Sequence, residues 1–598
     1  MPAFCYLRHE REAPPPEILR KMGDALRPDD PSAPGNLRQV PAPGGTLLFW
    51  AAPHVRMDLH QAPCGGLALL TGEAIGPESP RRLAAEEVFE YPPRFHSASG
   101  YFGWLRILPE GNLEAGADPF GLFPLYFFQS GETLAVATST AALRAHPLYD
   151  RTIDQVGMFR HLIENGGVGA RTLEQGGKRL LTGHILRFSP AQPHARQLPQ
   201  MMNWRCSAPK IRDEQEGVDL SIAMSRQAFL RQTEGRLEHM LLSGGLDSRH
   251  LAALVRENGG HPQCHTFGSP TDMEAALARR VARGIRAPWR CVPDAFPPAP
   301  DLVRSELRAH SLAGGFNTVT LRGVEAVGRG GGRRLLSGLF LDTMYSPMLR
   351  SPSPHEIGSF DYCMDLWINR TGVKIETLRA LTRPGEPREA LEAALDEIHR
   401  EWEAYPGDLT DRLWMTILQH RMRPHLGGYL WKCCFHSWLM LPALDVPFVL
   451  ATRRISGDLL KGRELQRQTV ARISPALARI PLDSISDSPQ SILPGRWNAL
   501  SQRVYFQQLR RAGLSRADIQ RFPKLMSLTH PVWQEIHRLA EFGRPAAETY
   551  FDTDALRTVL PPFTRTQAPQ PGQLAAHGGH RLLLGLMLWL DGNSTSIV

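Results

Sequence analysis

The sequence contains no apolar run near the roughly 20 residues that a bilayer-spanning helix needs, and its most apolar late stretch, Leu582 to Leu590, is far shorter. Membrane insertion is therefore not expected. Residues Met1 to Glu10 carry no signal-peptide core, which makes the cytoplasm the expected compartment. The eight cysteines (Cys5, Cys64, Cys206, Cys264, Cys291, Cys363, Cys433 and Cys434) include no C-x-x-C pair and no spacing that suggests zinc. That argues against a disulfide framework or a zinc module and for free thiols. Charge of one sign is not gathered either. The net charge of +8 comes from arginines and lysines scattered among acids, so nucleic acid is not an expected partner; a polyanion such as ATP, or an acidic peptide, is sufficient.

What is present is an ordinary globular composition, 598 residues with 42% hydrophobic and 21% charged, enough for about two to four domains. The most informative stretch runs Leu241, Leu242, Ser243, Gly244, Gly245, Leu246, Asp247, Ser248. Arg236 to Met240 before it end in an apolar run suited to a buried strand, and Arg249 to Arg256 after it are apolar at helical spacing. The pattern predicts strand, tight turn, then a helix starting near Ser248. Adjacent glycines bring backbone amides close to a ligand, and the helix points its positive end at the turn, which makes an anion site. Ser243 and Ser248 add hydroxyl donors. Asp247 would be wasted against bare phosphate but is useful for holding Mg²⁺ on it, so the expected ligand is a metal-bound polyphosphate. No Lys follows the glycines, so the loop is not of the Walker type. The bland alternative is a helix cap after a Gly-Gly turn.

This loop resembles the pyrophosphate loop of the ATP pyrophosphatases, which cleave ATP between its α and β phosphates and pass AMP to a carboxyl or carbonyl oxygen. Further landmarks resemble the asparagine synthetase family. Upstream, Gly100 to Leu108, the Asp118-Pro119-Phe120-Gly121 turn and Pro124-Leu125-Tyr126 read as a β-meander and run as that family's glutaminase-like domain does. Gly166 to Leu173 and Leu180 to Leu186 resemble its passage into the synthetase domain. Downstream, Arg334 to Asp342 resembles its second nucleotide motif, an apolar strand, Ser337-Gly338, then Asp342. The implied fold is α/β: an N-terminal glutaminase-like (Ntn-type) αββα domain over 1–200, and a C-terminal ATP pyrophosphatase domain over 201–598 with a parallel sheet and surrounding helices. The resemblance implies that Leu241, Ser243, Gly244, Gly245, Leu246, Asp247, Ser248, Phe267, Gly268, Ser337 and Gly338 bind ATP. Asp247 and Asp342 would share Mg²⁺ and serve as the catalytic pair.

The departures carry as much as the matches. A glutaminase of this type uses a cysteine at position 2, where this chain has Pro2; Cys5 is expected to be a buried small residue and the first domain inactive. Leu339 and Thr343 stand where relatives carry acids, which makes the pocket more apolar. Glu274 suits first-turn capping and the family's acid equally. Arg421, Arg423 and His425 read either as a helix end complementing its dipole or as substrate contacts. Asp445 is expected to cap a helix, the region from Ile480 to Ser486 lacks the family's phosphate-binding Lys, and Lys461 and Arg463 read as a solvated helix face. Helices are expected over Glu386 to Trp402, Leu409 to Leu426 and His580 to Asp591; the role of residues 484–575 is not legible.

These features imply an enzyme that adenylates a carboxylate and joins it to an amine, with ATP and Mg²⁺. Among families with this layout, lasso peptide cyclases fit the apolar pocket and basic balance. The expected reaction adenylates an Asp or Glu side chain of a precursor peptide and closes a macrolactam on its N-terminal amine, with a leader peptidase as partner. The alternatives are an ammonia-dependent asparagine synthetase, a β-lactam synthetase-like amide ligase, and a non-catalytic nucleotide-binding scaffold.

Overall fold

In the computed structural model the described residues are 3–9, 14–28, 33–77, 80–200, 204, 209–293, 299–310, 322–329, 332–345, 359–407, 409–482, 491–514, 531–564 and 579–594. Among them the first third of the chain forms β1 (Ala3–Arg8), β2 (Asn36–Ala42), β3 (Gly45–Ala51), β4 (Met57–Gln61), β5 (Leu67–Ile75), β6 (Ser99–Ile107), β7 (Leu113–Ala117), β8 (Tyr126–Ser130), β9 (Thr133–Ala137), β10 (Lys178–Arg179), β11 (His184–Ser189) and β12 (Gln192–Pro199). They make two six-stranded antiparallel sheets, ordered β10-β8-β9-β1-β3-β2 and β12-β11-β7-β6-β5-β4. The period of two along a strand decides what each face meets. Leu67, Leu69, Tyr101 and Leu105 join the main core. Their neighbours Ala68, Leu70, Phe102 and Trp104 pack instead with Val88 and Phe95, from the helix and turn after β5.

The expected meander through residues 100–138 is divided between the two sheets. β6 and β7 pair in one, β8 and β9 in the other. The Asp118 turn is the crossover. Its carboxylate accepts from the amides of Phe120 (3.1 Å), Leu122 (3.2 Å) and Phe123 (2.8 Å), and Gly121 takes a left-handed φ of 65°. The chain is thereby wound too tightly to return alongside β7. Cys5 is fully buried in β1, and burial pushes its thiol pKa far up, leaving no accessible thiolate.

The rest of the chain builds a five-stranded parallel sheet from β13 (His239–Leu241), β14 (Gln263–Phe267), β15 (Trp289–Val292), β16 (Arg333–Leu336) and β17 (Ser437–Met440), in the order β15-β14-β13-β16-β17. The molecule is thus mixed α/β, with one parallel and two antiparallel sheets. The predicted Leu409–Leu426 helix is α-helical only over Leu409–Ile417. It then widens into a π-helix over Leu418–Gly427, which contains Pro424, because proline has no N–H and clashes with the carbonyl a turn earlier.

Buried polar contacts join the two parts. Arg423, read as a possible substrate contact, is fully buried and donates to the carbonyls of Gly121 (3.3 Å), Gly169 (3.2 Å) and Leu180. Its role is structural. Asp445 caps the Val446–Arg453 helix through the Phe448 amide at 3.2 Å and accepts from Arg231 at 2.8 Å. The last helix spans Gly579–Ser594, with Leu582 to Leu590 buried. No helix among the described residues is long and apolar enough to cross a membrane.

Candidate functional site

In the five-stranded parallel sheet the chain reverses its direction of winding at β13. From β13 it steps outward to β14 and β15, then returns to β16 on the other side. β13 and β16 pair in parallel, His239 opposite Leu335 and Met240 opposite Leu336, so the connections after both strands emerge side by side at their carboxyl ends. Open α/β sheets bind ligands at this position. The stretches from Ser243 to Ser248 and from Ser337 to Asp342 both lie there.

After β13, the Leu242 amide still pairs with His265 O at 2.8 Å before the chain turns through Gly244 and Gly245. The helix covers Leu246–Glu257, two residues ahead of the expected start, so Asp247 and Ser248 occupy its first turn. Ser243 and Ser248 hydroxyls lie 2.8 Å apart, and Ser243 Oγ accepts the Gly245 amide at 3.1 Å. These hydroxyls brace the turn. The opening amides of a helix have no acceptor within it, an arrangement that suits an anion.

After β16, the Ser337 amide bonds to Met440 O at 3.0 Å and Ser337 Oγ accepts the Leu339 amide at 3.2 Å. Phe340 holds a left-handed φ of 73°, a conformation bulky residues rarely adopt and one that concentrates at functional turns. Between them Gly338 packs directly on the first loop. A Cβ added there would lie 2.9 Å from Asp247 C and 3.1 Å from Asp247 O. Gly338→Ala is therefore expected to force the two loops apart at a cost of about 1–3 kcal/mol, read as a lower urea midpoint with an unchanged slope.

Asp342 opens the short Leu341–Tyr345 helix, close enough to Asp247 for their charges to interact. Burial raises the Asp247 pKa to about 6; Arg463 pulls it back and Asp342 adds to the rise. No cluster of three or more His, Cys, Asp or Glu side chains suited to a metal occurs among the described residues. A cation here would take two protein carboxylates and fill its shell with ligand and water oxygens, as Mg²⁺ on a polyphosphate does.

Three arginines complete the surroundings. Arg463, read from sequence as a solvated face, instead pairs with Asp247 Oδ1, and Gln466 Nε2 donates to the same oxygen at 3.0 Å. Arg463 also bonds Gln466 Oε1 through Nε at 2.9 Å. Lys461 next door is exposed. Arg421 lies over the Trp367 ring at 5.3 Å; burial lowers its pKa while the Asp342 charge supports it. Arg249 is fully buried and ties the loop to distant backbone, donating to Gly244 O at 3.0 Å, Pro481 O at 2.7 Å and Ile480 O. Sequence reasoning missed Arg249, whose only local signal is its place directly after Asp247 and Ser248.

Phe267 and Gly268 close β14, one strand from the reversal. Gly268 has a φ of 119°, and its amide bonds Val292 O at 3.0 Å. Glu274 sits in the first turn of the Met273–Gly284 helix. Residues Asp483 to Ser486, where no phosphate-binding Lys was found, lie outside the described residues. A pocket lined by Tyr149, His161, Glu174 and Arg179 shares no residue with either loop.

No family model matches the chain, and no curated protein matches it. Among solved structures it is similar to glutamine phosphoribosylpyrophosphate amidotransferase from B. subtilis in complex with ADP and GMP, at 11% identity and a TM-score of 0.22 over 48% of this chain and 65% of that one. A structure described as the allosteric regulatory enzyme of purine biosynthesis gives 11% identity and a TM-score of 0.22, covering 48% of this chain and 64% of the other. In both cases the match spans less than two thirds of the other protein, and a TM-score of 0.22 establishes neither a shared fold nor a shared activity.

Proposed function

We propose that the chain is an ATP-dependent carboxylate–amine ligase that releases AMP and pyrophosphate. The observation that carries this is the contact of Gly338 with the Asp247 backbone, which joins a glycine-rich loop, a helix N-terminus and two carboxylates at the reversal of a parallel sheet. Asp247 and Asp342 would hold Mg²⁺, whose chemistry is to neutralise the polyphosphate and stabilise the departing pyrophosphate. The loop amides bind and orient that phosphate chain. Activation of the carboxylate by AMP supplies a leaving group that an amine displaces.

Two features of the chain support a peptide as substrate. Cys5 is sealed in β1, so the amine does not come from glutamine through that thiol. Leu339 lies half-buried against the core beside Ser337 and Gly338, an apolar neighbour better suited to a peptide than to free aspartate and ammonia. The finer form of the proposal is a lasso peptide-type cyclase, with the side chain of an Asp or Glu as the activated group and the N-terminal amine of the same precursor peptide as nucleophile. A leader peptidase would free that amine. An α-amine titrates near about 7.7–8.0, and holding it against the activated carboxyl supplies most of the acceleration, roughly 7–11 kcal/mol for well-oriented groups.

The test is pyrophosphate release from ATP and Mg²⁺, comparing aspartate plus ammonia with a leaderless peptide that has a free N-terminus and an internal Asp or Glu. Release with peptide alone, and a product lighter by one water, is the expected result. Release with aspartate and ammonia would make the chain an amide synthetase, and release with neither would leave a different small carboxylate as substrate or a nucleotide-binding scaffold.

A further inference from the structure

Arg463 is held on Asp247 by an unusual piece of backbone. It follows Gly462, and both residues are left-handed, with φ of 62° and ψ of 10° for Gly462 and φ of 63° and ψ of 26° for Arg463. A non-glycine residue there carries strain. The conformation starts the Glu464–Ile473 helix while directing the Arg463 guanidinium onto Asp247 Oδ1, where Gln466 holds both partners. Both side chains keep some exposure, 23% and 28%, which leaves the pair within reach of a ligand.

We propose that Arg463 is a latch for this site: it neutralises Asp247 while no nucleotide is bound, and transfers to the polyphosphate when a cation–nucleotide complex takes Asp247. This rests on the proposed nucleotide site and assigns its phosphate-binding cation. The exchange is a competition for one atom: Arg463 and Gln466 both donate to Asp247 Oδ1, and a divalent cation taken at that oxygen displaces the guanidinium from it. The fork released from Asp247 meets phosphate oxygens, its best-matched anionic partners, at the same loop. Asp342 favours the exchange, because its charge acts on Asp247 and a cation between them relieves the repulsion that Arg463 offsets from one side only. Arg463 is on this account a binding and positioning residue, and the strained turn at Gly462 and Arg463 is the hinge on which it moves.

Two measurements on the full chain separate the latch from the nucleotide site. The first is binding of Mn²⁺ alone, followed by its paramagnetic resonance signal, in wild type, Arg463→Met and Arg463→Lys. Removing the competing guanidinium is expected to tighten Mn²⁺ binding by about tenfold, with Arg463→Lys between the two. The second is binding of ATP with Mg²⁺ by calorimetry, which Arg463→Met should weaken by about tenfold or more while Arg463→Lys largely restores it. Opposite signs for the two ligands establish the latch, because a merely structural role moves both in one direction. Unchanged Mn²⁺ affinity in Arg463→Met overturns it. Failure of wild type to bind ATP, with Mn²⁺ binding still tightened by Arg463→Met, would refute the nucleotide assignment and the transfer step but keep the pairing with a bare cation.

Discussion

Asp247→Ala is expected to lower pyrophosphate release by about a hundredfold to a thousandfold and to leave the fold intact. The size follows from removing one of two carboxylates that would hold the cation on the phosphates, an electrostatic contribution of several kcal/mol at the reacting group. The fold should tolerate the change, since burial and Asp342 already work against the Asp247 charge, and the Arg463 left behind is partly exposed. A stability change within about 1 kcal/mol is expected, measured as the urea midpoint beside the turnover assay. Full turnover in this variant would sink the proposed chemistry.

Acid should separate cation binding from stability at the same residue. Without a cation the Asp247 pKa is raised to about 6, so a proton competes with the cation, and cation binding is expected to weaken as pH falls below that value. The stability contribution has the opposite sign. A carboxyl raised above its unfolded value of about 3.9 contributes stability below that value and loses it as pH rises through about 6. Asp247→Asn should flatten this part of the stability profile.

Arg160→Met is expected to destabilise the protein by about 3–5 kcal/mol without touching the site. Arg160 and Glu164 are both essentially sealed from solvent, with Arg160 Nε on Glu164 Oε2 at 2.9 Å. The guanidinium also grips both oxygens of Glu401, at 2.6 and 2.7 Å, across 241 positions of sequence. His420 meets Glu164 from the other side, and Tyr405 holds His420 at 2.7 Å. Removing the cation leaves a buried carboxylate without its main counter-charge, the costly way to break such a pair.

The pH dependence should invert with it. Burial alone would raise the Glu164 pKa, but Arg160 and His420 hold it below the usual range. Its stabilising contribution is present above the unfolded value of about 4.3 and lost as pH falls through the depressed one. In Arg160→Met the pKa should rise, so stability is lost as pH rises instead. Urea midpoints at acid and neutral pH check this, and Arg160→Met with Glu164→Gln should cost less than the sum of the two changes.

Local chemistry made part of the site legible. The paired glycines, the serines and the apolar period around Leu241 to Ser248 specify strand, turn and helix using neighbours alone, and the run from Arg334 to Asp342 does the same. The Asp118 turn was equally visible, yet its destination was not, since a turn records how sharply the chain bends and not which sheet receives it. Arg463 and Arg423 show the same limit from the side of charge. One stood in a helix-like run and reaches Asp247, 216 positions away; the other read equally as a helix-end cation or a ligand contact and is consumed by three distant carbonyls.

By itself the sequence determined the elements whose cause lies within a few residues: glycines that permit a turn, a period of two or of 3.6, an aspartate that caps or offers a charge. Tertiary structure alone decided that β13 and β16 are neighbours, that Gly338 lies against Asp247, and that Arg463 covers the Asp247 carboxylate. The reason is that strand order and ion pairing are set by long-range burial and Coulomb interactions, which act between residues that share a space and leave no local period in the chain.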